Sequence, residues 1–299
     1  MPFISSSEEN EKANRKQQHL EWYPTPTFVL KIWLKGDQMK TPYNSNIVEL
    51  TEVTDSTDFM LHNQKVWQQS SNTWLNGEMS HLQDLPPILL EKVEAICAVS
   101  AVLSIADFGC GEGWCQRTLY THIPNLTYIG IDFNPKFFDH LNDNNNNENV
   151  QFVCADYSRD SFNIGKEVDL SISSFSLFEI VDLKQAIANI VKTTCLGGHI
   201  VVFTIDRIWQ LIDISSTMQE LYRKAALAYS DKDFYYNTTI RSEKLNEQES
   251  YLTITHSVAN YINQFLSFGT QLIDCQEALI NNEASGQSIC YSILTFRKR

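Results

Sequence analysis

Residues 104–119, SIADFGCGEGWCQRTL, decide how the rest of this chain is read. A short apolar run from Val102 to Phe108 carries an acid near its end, Asp107. The turn Gly109, Cys110, Gly111, Glu112, Gly113 follows, and then a helix-compatible segment. This order is strand, glycine loop, helix. Gly109 permits a tight turn with positive φ, while Gly111 and Gly113 carry no Cβ to hold a bound molecule away from the backbone. A dinucleotide fingerprint requires G-x-G-x-x-G, and counted from Gly109 its third glycine falls on Trp114. The order here is D-x-G-x-G-x-G.

Working outward, a β-branched and aromatic run from Leu126 to Ile131 ends at Asp132. Its distance from Gly113 is 132 − 113 = 19 residues, close to the roughly twenty at which an acid meets a ribose in nucleotide-binding α/β folds. A carboxylate there can accept from both ribose hydroxyls, and a helix N-cap before Pro135 is the plainer alternative. The polar stretch 141–149 reads as a surface loop. Val150–Cys154 reads as a third strand, followed by Ala155, Asp156, Tyr157 and Ser158. Val168–Ser173 reads as a buried fourth strand running into Ser174, Phe175, Ser176, Leu177, Phe178 and Glu179. A helix over 184–194 leads to Leu196-Gly197-Gly198 and a fifth strand, 199–204. Strands alternating with helices at this spacing predict a parallel sheet with right-handed crossovers. Asp107, Asp132, Asp156 and Ser173 then all fall at carboxyl ends of strands, where such sheets bind ligands.

The D-x-G-x-G-x-G loop resembles motif I of the class I S-adenosylmethionine-dependent methyltransferases. The stretch S-S-x-x-L-x-E, Ser173 to Glu179, resembles their motif IV, with Glu179 where many relatives carry histidine. The closing helix after His256 and the two final strands resemble the end of the same fold, whose last strand is antiparallel. The resemblance covers about residues 60 to 299. It implies a doubly wound, mostly parallel, seven-stranded α/β sheet of Rossmann-like methyltransferase type, with an N-terminal helical cap and a helical lid insertion after strand five. It implies S-adenosyl-L-methionine as cofactor, approached by Asp107, Gly109, Gly111 and Gly113. Asp132 and Phe133 would lie at the ribose, Asp156 and Tyr157 at the adenine, and Ser173 and Ser174 at the methionine end. By location, His256, Glu179 and Asp206 are the candidates for proton handling.

The 299 residues divide on this reading into an N-terminal extension, 1–58, cap helices, 59–100, and a methyltransferase domain, 101–299, with the lid at 206–250. Residues 1–18 are polar and expected to be disordered. The aromatic stretch from Leu20 to Gly36 reads as a strand or arm that packs on the core, covers the site or joins a partner subunit, so a homodimer is one expectation. Trp67 and Trp74 in the cap, and Trp209, Tyr235 and Tyr236 in the lid, are candidates to line an apolar or aromatic substrate pocket, with ordinary packing the alternative.

A net charge of −13 and a pI near 4.9 weigh against nucleic-acid or anionic-membrane partners. No signal peptide or membrane span is evident, so a cytoplasmic protein is expected. The seven cysteines show no C-x-x-C and no metal-ligand spacing, which predicts reduced thiols and no metal. The expected function is methyl transfer to an oxygen, nitrogen or carbon atom of a small metabolite. A non-catalytic S-adenosylmethionine-binding protein on the same fold is the alternative, and an NAD-dependent oxidoreductase, which lacks its fingerprint here, is a weaker one. A metalloid methyltransferase would need substrate-binding cysteines such as Cys110 and Cys115.

Overall fold

The computed structural model describes residues 30–33, 45–52, 64, 65, 67, 68, 85–123, 125–143, 147–205, 234–242, 247–282 and 287–299. In chain order the elements are β1 (Leu30–Trp33), β2 (Ser45–Glu52), α1 (Leu85–Cys97), β3 (Ser104–Phe108), α2 (Trp114–Tyr120), β4 (Thr127–Asp132), α3 (Pro135–Asp143) and β5 (Val150–Cys154). Then follow β6 (Val168–Ser174), a 3₁₀ turn (Leu177–Glu179), α4 (Leu183–Thr193), β7 (Thr194–Ile205), β8 (Phe234–Ser242), β9 (Glu247–Thr255), α5 (Val258–Ser267), β10 (Thr270–Asn282) and β11 (Gln287–Lys298).

Seven strands form one sheet in the order β10-β11-β7-β6-β3-β4-β5. β3, β4, β5, β6 and β7 are parallel to their neighbours in this group, and β11 is antiparallel to both β7 and β10. The strands are apolar on both sides because both sides are covered, as parallel sheets require. On β3, Ile105 enters one core with Leu85, Leu89, Val93 and Ile96 of α1 and Leu119 of α2. Ala106 and Phe108 enter the opposite core with Ile187 and Ile190 of α4 and Tyr261 and Phe265 of α5. The three- and four-residue spacing of the α1 positions puts them on one helix face, and each fully buried side chain contributes roughly 1.5–3 kcal/mol. Pro86 and Pro87 lie in the first turn of α1, where a missing N–H leaves no intrahelical bond unmade. Asp182 caps α4 through Gln185 N–H, and Ser257 caps α5 through Asn260 N–H.

Two expectations need correction. α3 continues to Asp143 and buries Leu141, so the polar stretch begins inside a helix instead of being loop throughout. Within the insertion after the fifth parallel strand, Phe234–Ser242 and Glu247–Thr255 are strands and not helix: β8 and β9 pair antiparallel from Phe234↔Thr255 to Ser242↔Glu247, while 206–233, where lid helices are expected, lie outside the described residues. The runs Phe234 to Ile240 and Tyr251 to Thr255 are rich in aromatic and β-branched residues, which suit a pleated surface better than a helix. β8 also pairs with β2, and β2 with β1, giving a second sheet in the order β1-β2-β8-β9. The N-terminal extension and the insertion therefore share one sheet. β9 packs against the 3₁₀ turn, which places the second sheet at the carboxyl end of β6.

Candidate active site

From β3 the chain proceeds through β4 and β5 on one side, and β6 and β7 lie on the other. The crevice between the carboxyl ends of β3 and β6 is thus the topological switch point, where open α/β sheets bind ligands. The glycine loop starts there. Gly109 has φ +76, and a Cβ on it would lie 2.2 Å from Cβ of Ser176, so no other residue fits without moving the chain. The N–H groups of Gly109 and Cys110 both donate to the Ile131 carbonyl, at 2.7 and 3.0 Å. Gly111, at φ +50, differs: a Cβ there would meet nothing within 4 Å among the described residues.

Asp132, at the end of β4, accepts from Gly111 N–H at 3.0 Å through Oδ2 and from Asn134 N–H at 2.9 Å through Oδ1. Beyond these backbone donors the carboxylate keeps lone-pair capacity for a ligand hydroxyl. Burial raises its pKa to about 6, against the lowering effect of the N–H donors of Asn134, Gly111 and Phe133. Asn134 is fully buried, and its amide donates to the Trp67 carbonyl at 3.1 Å, which fastens the cap segment to the Asp132 loop.

Asp156 closes its own turn. Its Oδ1 accepts from Ser158 N–H and Oγ at 3.0 and 2.6 Å, and its Oδ2 pairs with Arg159 Nε at 2.9 Å. The Tyr157 ring enters the core edge-on to Phe108, 5.4 Å between centroids. Asn189 of α4 holds the same loop from beneath, donating to the carbonyls of Tyr157 and Arg159, each at 2.8 Å.

Asp107 is 1% exposed and accepts from the Tyr128 hydroxyl through Oδ2, while its Oδ1 has no hydrogen-bond partner among the described residues. Burial raises its pKa to about 6, with the Tyr128 hydroxyl and the Cys115 thiol opposing that shift. Ser174, two residues past Ile172 on β6, is also buried, and its Oγ has no partner among the described residues. Asp107 pairs in register with Ile172, so by strand alternation the two orphan atoms belong to the same face of adjacent strands. Phe175 follows at φ +54, a left-handed conformation that a bulky residue adopts only under constraint. Its N–H donates to the Phe203 carbonyl at 3.0 Å, and its ring meets Tyr291 edge-on at 4.9 Å. Cys110 and Cys115 are buried, and burial pushes both thiols well above their ordinary pKa, so they are protonated and not poised as acceptor-binding thiolates.

His256 follows β9 and is 2% exposed. Its Nε2 lies 2.8 Å from the Ile180 carbonyl, and because a carbonyl can only accept, Nε2 carries the proton. The bond brings His256 to the residue next to Glu179, so two of the three proton-handling candidates share one corner. Tyr235 and Tyr236 occupy β8, where Tyr236 pairs with Glu52 and Thr253. Trp67 is half-buried. Asp206, Trp74 and Trp209 lie outside the described residues. Sequence reasoning missed Ser176, Asn134 and Asn189. Ser176 lay inside the motif IV stretch, but its partners are remote in the chain. Only the Asn two places after Asp132 carried a local turn signal.

Residues 105–198 match a protein family described as "Methyltransferase domain". With the seven-stranded sheet and the glycine loop at its switch point, this segment is similar to a methyltransferase domain. Among proteins of known name, the chain is 25% identical over 152 residues to a malonyl-[acyl-carrier protein] O-methyltransferase of Bacillus anthracis, covering 51% of this chain and 53% of that one. It is 24% identical over 146 residues to the protein of the same name from Acetivibrio thermocellus, covering 49% and 44%. The chain thus spans about half the length of the curated relatives it matches. Among solved structures, the 1,6-didemethyltoxoflavin-N1-methyltransferase of Burkholderia thailandensis shares the fold. The TM-score is 0.56 at 12% identity, covering 84% of this chain and 95% of that one.

Proposed function

We propose that this chain transfers a methyl group from S-adenosyl-L-methionine to an oxygen, nitrogen or carbon atom of a small metabolite. The observation that carries this reading is the state of the β3/β6 crevice. Among the described residues, the space over Gly111 is open beside a loop backbone bonded to Asp132, and Asp107 Oδ1 and Ser174 Oγ are buried polar atoms without partners. Native interiors pair such atoms, and an unpaired one costs about 1–3 kcal/mol, so two at one strand end fit a ligand bearing donors.

In this reading Asp132 takes the ribose hydroxyls, and Asp156 with the Tyr157 N–H takes the adenine edge. Asp107 and Ser174 face the methionine end, with Gly109, Gly113, Phe133 and Ser173 shaping the walls. S-adenosylmethionine supplies an electrophilic methyl on a sulfonium. The chain's share of the rate is positioning the acceptor about 3–3.5 Å from the methyl carbon, in line with the breaking bond. The second sheet, reaching the 3₁₀ turn through β9, bounds the acceptor side. His256, with Nε2 bonded to Ile180, orients this corner, and Glu179 and Asp206 stay candidates by chain position alone for the base that a protonated acceptor would need.

The aromatic content of 206–236 favours an apolar or aromatic acceptor. Carboxylate O-methylation is a second reading, favoured by the names of both curated relatives. A carboxylate is already ionised at neutral pH and needs no base. The test is transfer of labelled methyl from S-adenosylmethionine to a panel of aromatic amines, phenols and acyl-thioester carboxylates. Turnover of one class selects the acceptor. Tight cofactor binding with no transfer across the panel would favour the non-catalytic alternative.

A further inference from the structure

We infer that Ser176 is the positioning residue that sets the two halves of the proposed cofactor site against each other. This rests on the reading of the crevice as an S-adenosylmethionine site. The hydroxyl has one proton and two acceptor lone pairs, and all three are used. Ser176 Oγ donates to the Phe108 carbonyl at 2.6 Å. It accepts from the Tyr157 hydroxyl at 2.9 Å. Its third contact, Ser173 Oγ at 2.8 Å, must then be a bond donated by Ser173.

The three partners belong to three different segments of the site. Phe108 is the last residue of β3, immediately before the glycine loop; Tyr157 belongs to the loop after β5; Ser173 lies at the end of β6. The Tyr157 loop is also gripped by Asn189, so it is a fixed platform. Ser176 joins that platform to the root of the glycine loop, and the absent Cβ of Gly109 makes room for it. A ligand whose adenine lies on the Asp156–Tyr157 side and whose methionine lies over Gly111 would span two loops that this hydroxyl holds in register. The affinity of such a two-ended ligand depends on that register, whereas a ligand filling one half does not.

The test compares S-adenosylhomocysteine, which fills both halves, with adenosine, which fills one, in S176A and Y157F beside the wild type. Calorimetry and thermal unfolding are measured on each variant. S176A should bind S-adenosylhomocysteine about tenfold more weakly, the loss of a well-made buried hydrogen-bond link. Its affinity for adenosine should change by less than about twofold, because a single-half ligand does not sense the register. Y157F removes one link and should weaken S-adenosylhomocysteine about threefold, and the double variant should be no weaker than S176A, because contacts through one atom are not additive. Equal losses for both ligands, or an unchanged ratio, would overturn the positioning role. Should S176A fail to fold, Y157F alone decides: an unchanged ratio overturns the inference and a threefold fall in it supports it. A wild-type protein that binds neither ligand overturns the cofactor reading itself, and the inference with it.

Discussion

The two sides of the sheet at the β3/β6 crevice differ in how completely they are satisfied. On the side of Phe108, Tyr157 and Ser173, the hydroxyls meet at Ser176 and each has a partner. On the side of Asp107 and Ser174, two buried polar atoms have none among the described residues. The first side behaves as scaffold, with polar groups consumed in holding loops. In the proposed reading the second is the site, its polar groups left for the ligand. Proteins place such unsatisfied groups and strained residues, here Phe175, where function outweighs stability.

The comparison is broken most severely from the scaffold side. Gly109→Ala puts a Cβ 2.2 Å from that of Ser176 and imposes a side chain at φ +76. Overpacking and left-handed strain together predict a loss of about 2–5 kcal/mol in urea unfolding. Gly111→Val does the opposite. Its Cβ meets no atom of the described residues within 4 Å, so stability should fall by only about 1–2 kcal/mol from its φ. S-adenosylhomocysteine affinity should nonetheless fall at least about a hundredfold, by calorimetry, because the branched side chain fills ligand space. Equal effects of the two substitutions on folding would erase the distinction between scaffold and site.

Asp107→Asn sharpens the comparison with a smaller effect. The folded pKa of Asp107 is raised from 3.8 to about 6 by burial, so the folded state binds the proton more tightly than the unfolded chain. By linkage, its contribution to the stability of the ligand-free protein falls as pH rises from about 4 through about 6. Asp132, likewise raised to about 6, adds a decline in the same window. Asp107→Asn should remove its share, making the variant more stable than the wild type at pH 7.5 by about 1–2 kcal/mol. At pH 4 the two should agree. Urea midpoints at both pH values check it.

How much of this was legible in sequence follows from the range of the interactions. The strand-loop-helix at 104–120 was readable because its glycines, apolar run and helix lie within one short stretch, and Asp132 was readable because a strand and a helix fix its offset. The scaffold links were not. Ser176 reaches Phe108 across 68 residues, and Asn134 reaches Trp67 across 67, and no local pattern marks such pairs. The second sheet was hidden for the same reason. β2 finds its partner β8 only after the whole parallel unit has intervened, so the extension read as an undefined arm and residues 234–250 fell inside a lid expected to be helical. The acceptor stayed illegible because pocket-lining aromatic residues and core aromatic residues have the same composition.

The most direct test of the central claim is titration calorimetry of the wild-type protein with S-adenosylmethionine, S-adenosylhomocysteine and NAD. The account predicts micromolar binding of the two sulfur ligands and none of NAD. Absence of binding by either sulfur ligand, or binding of NAD in their place, would contradict it.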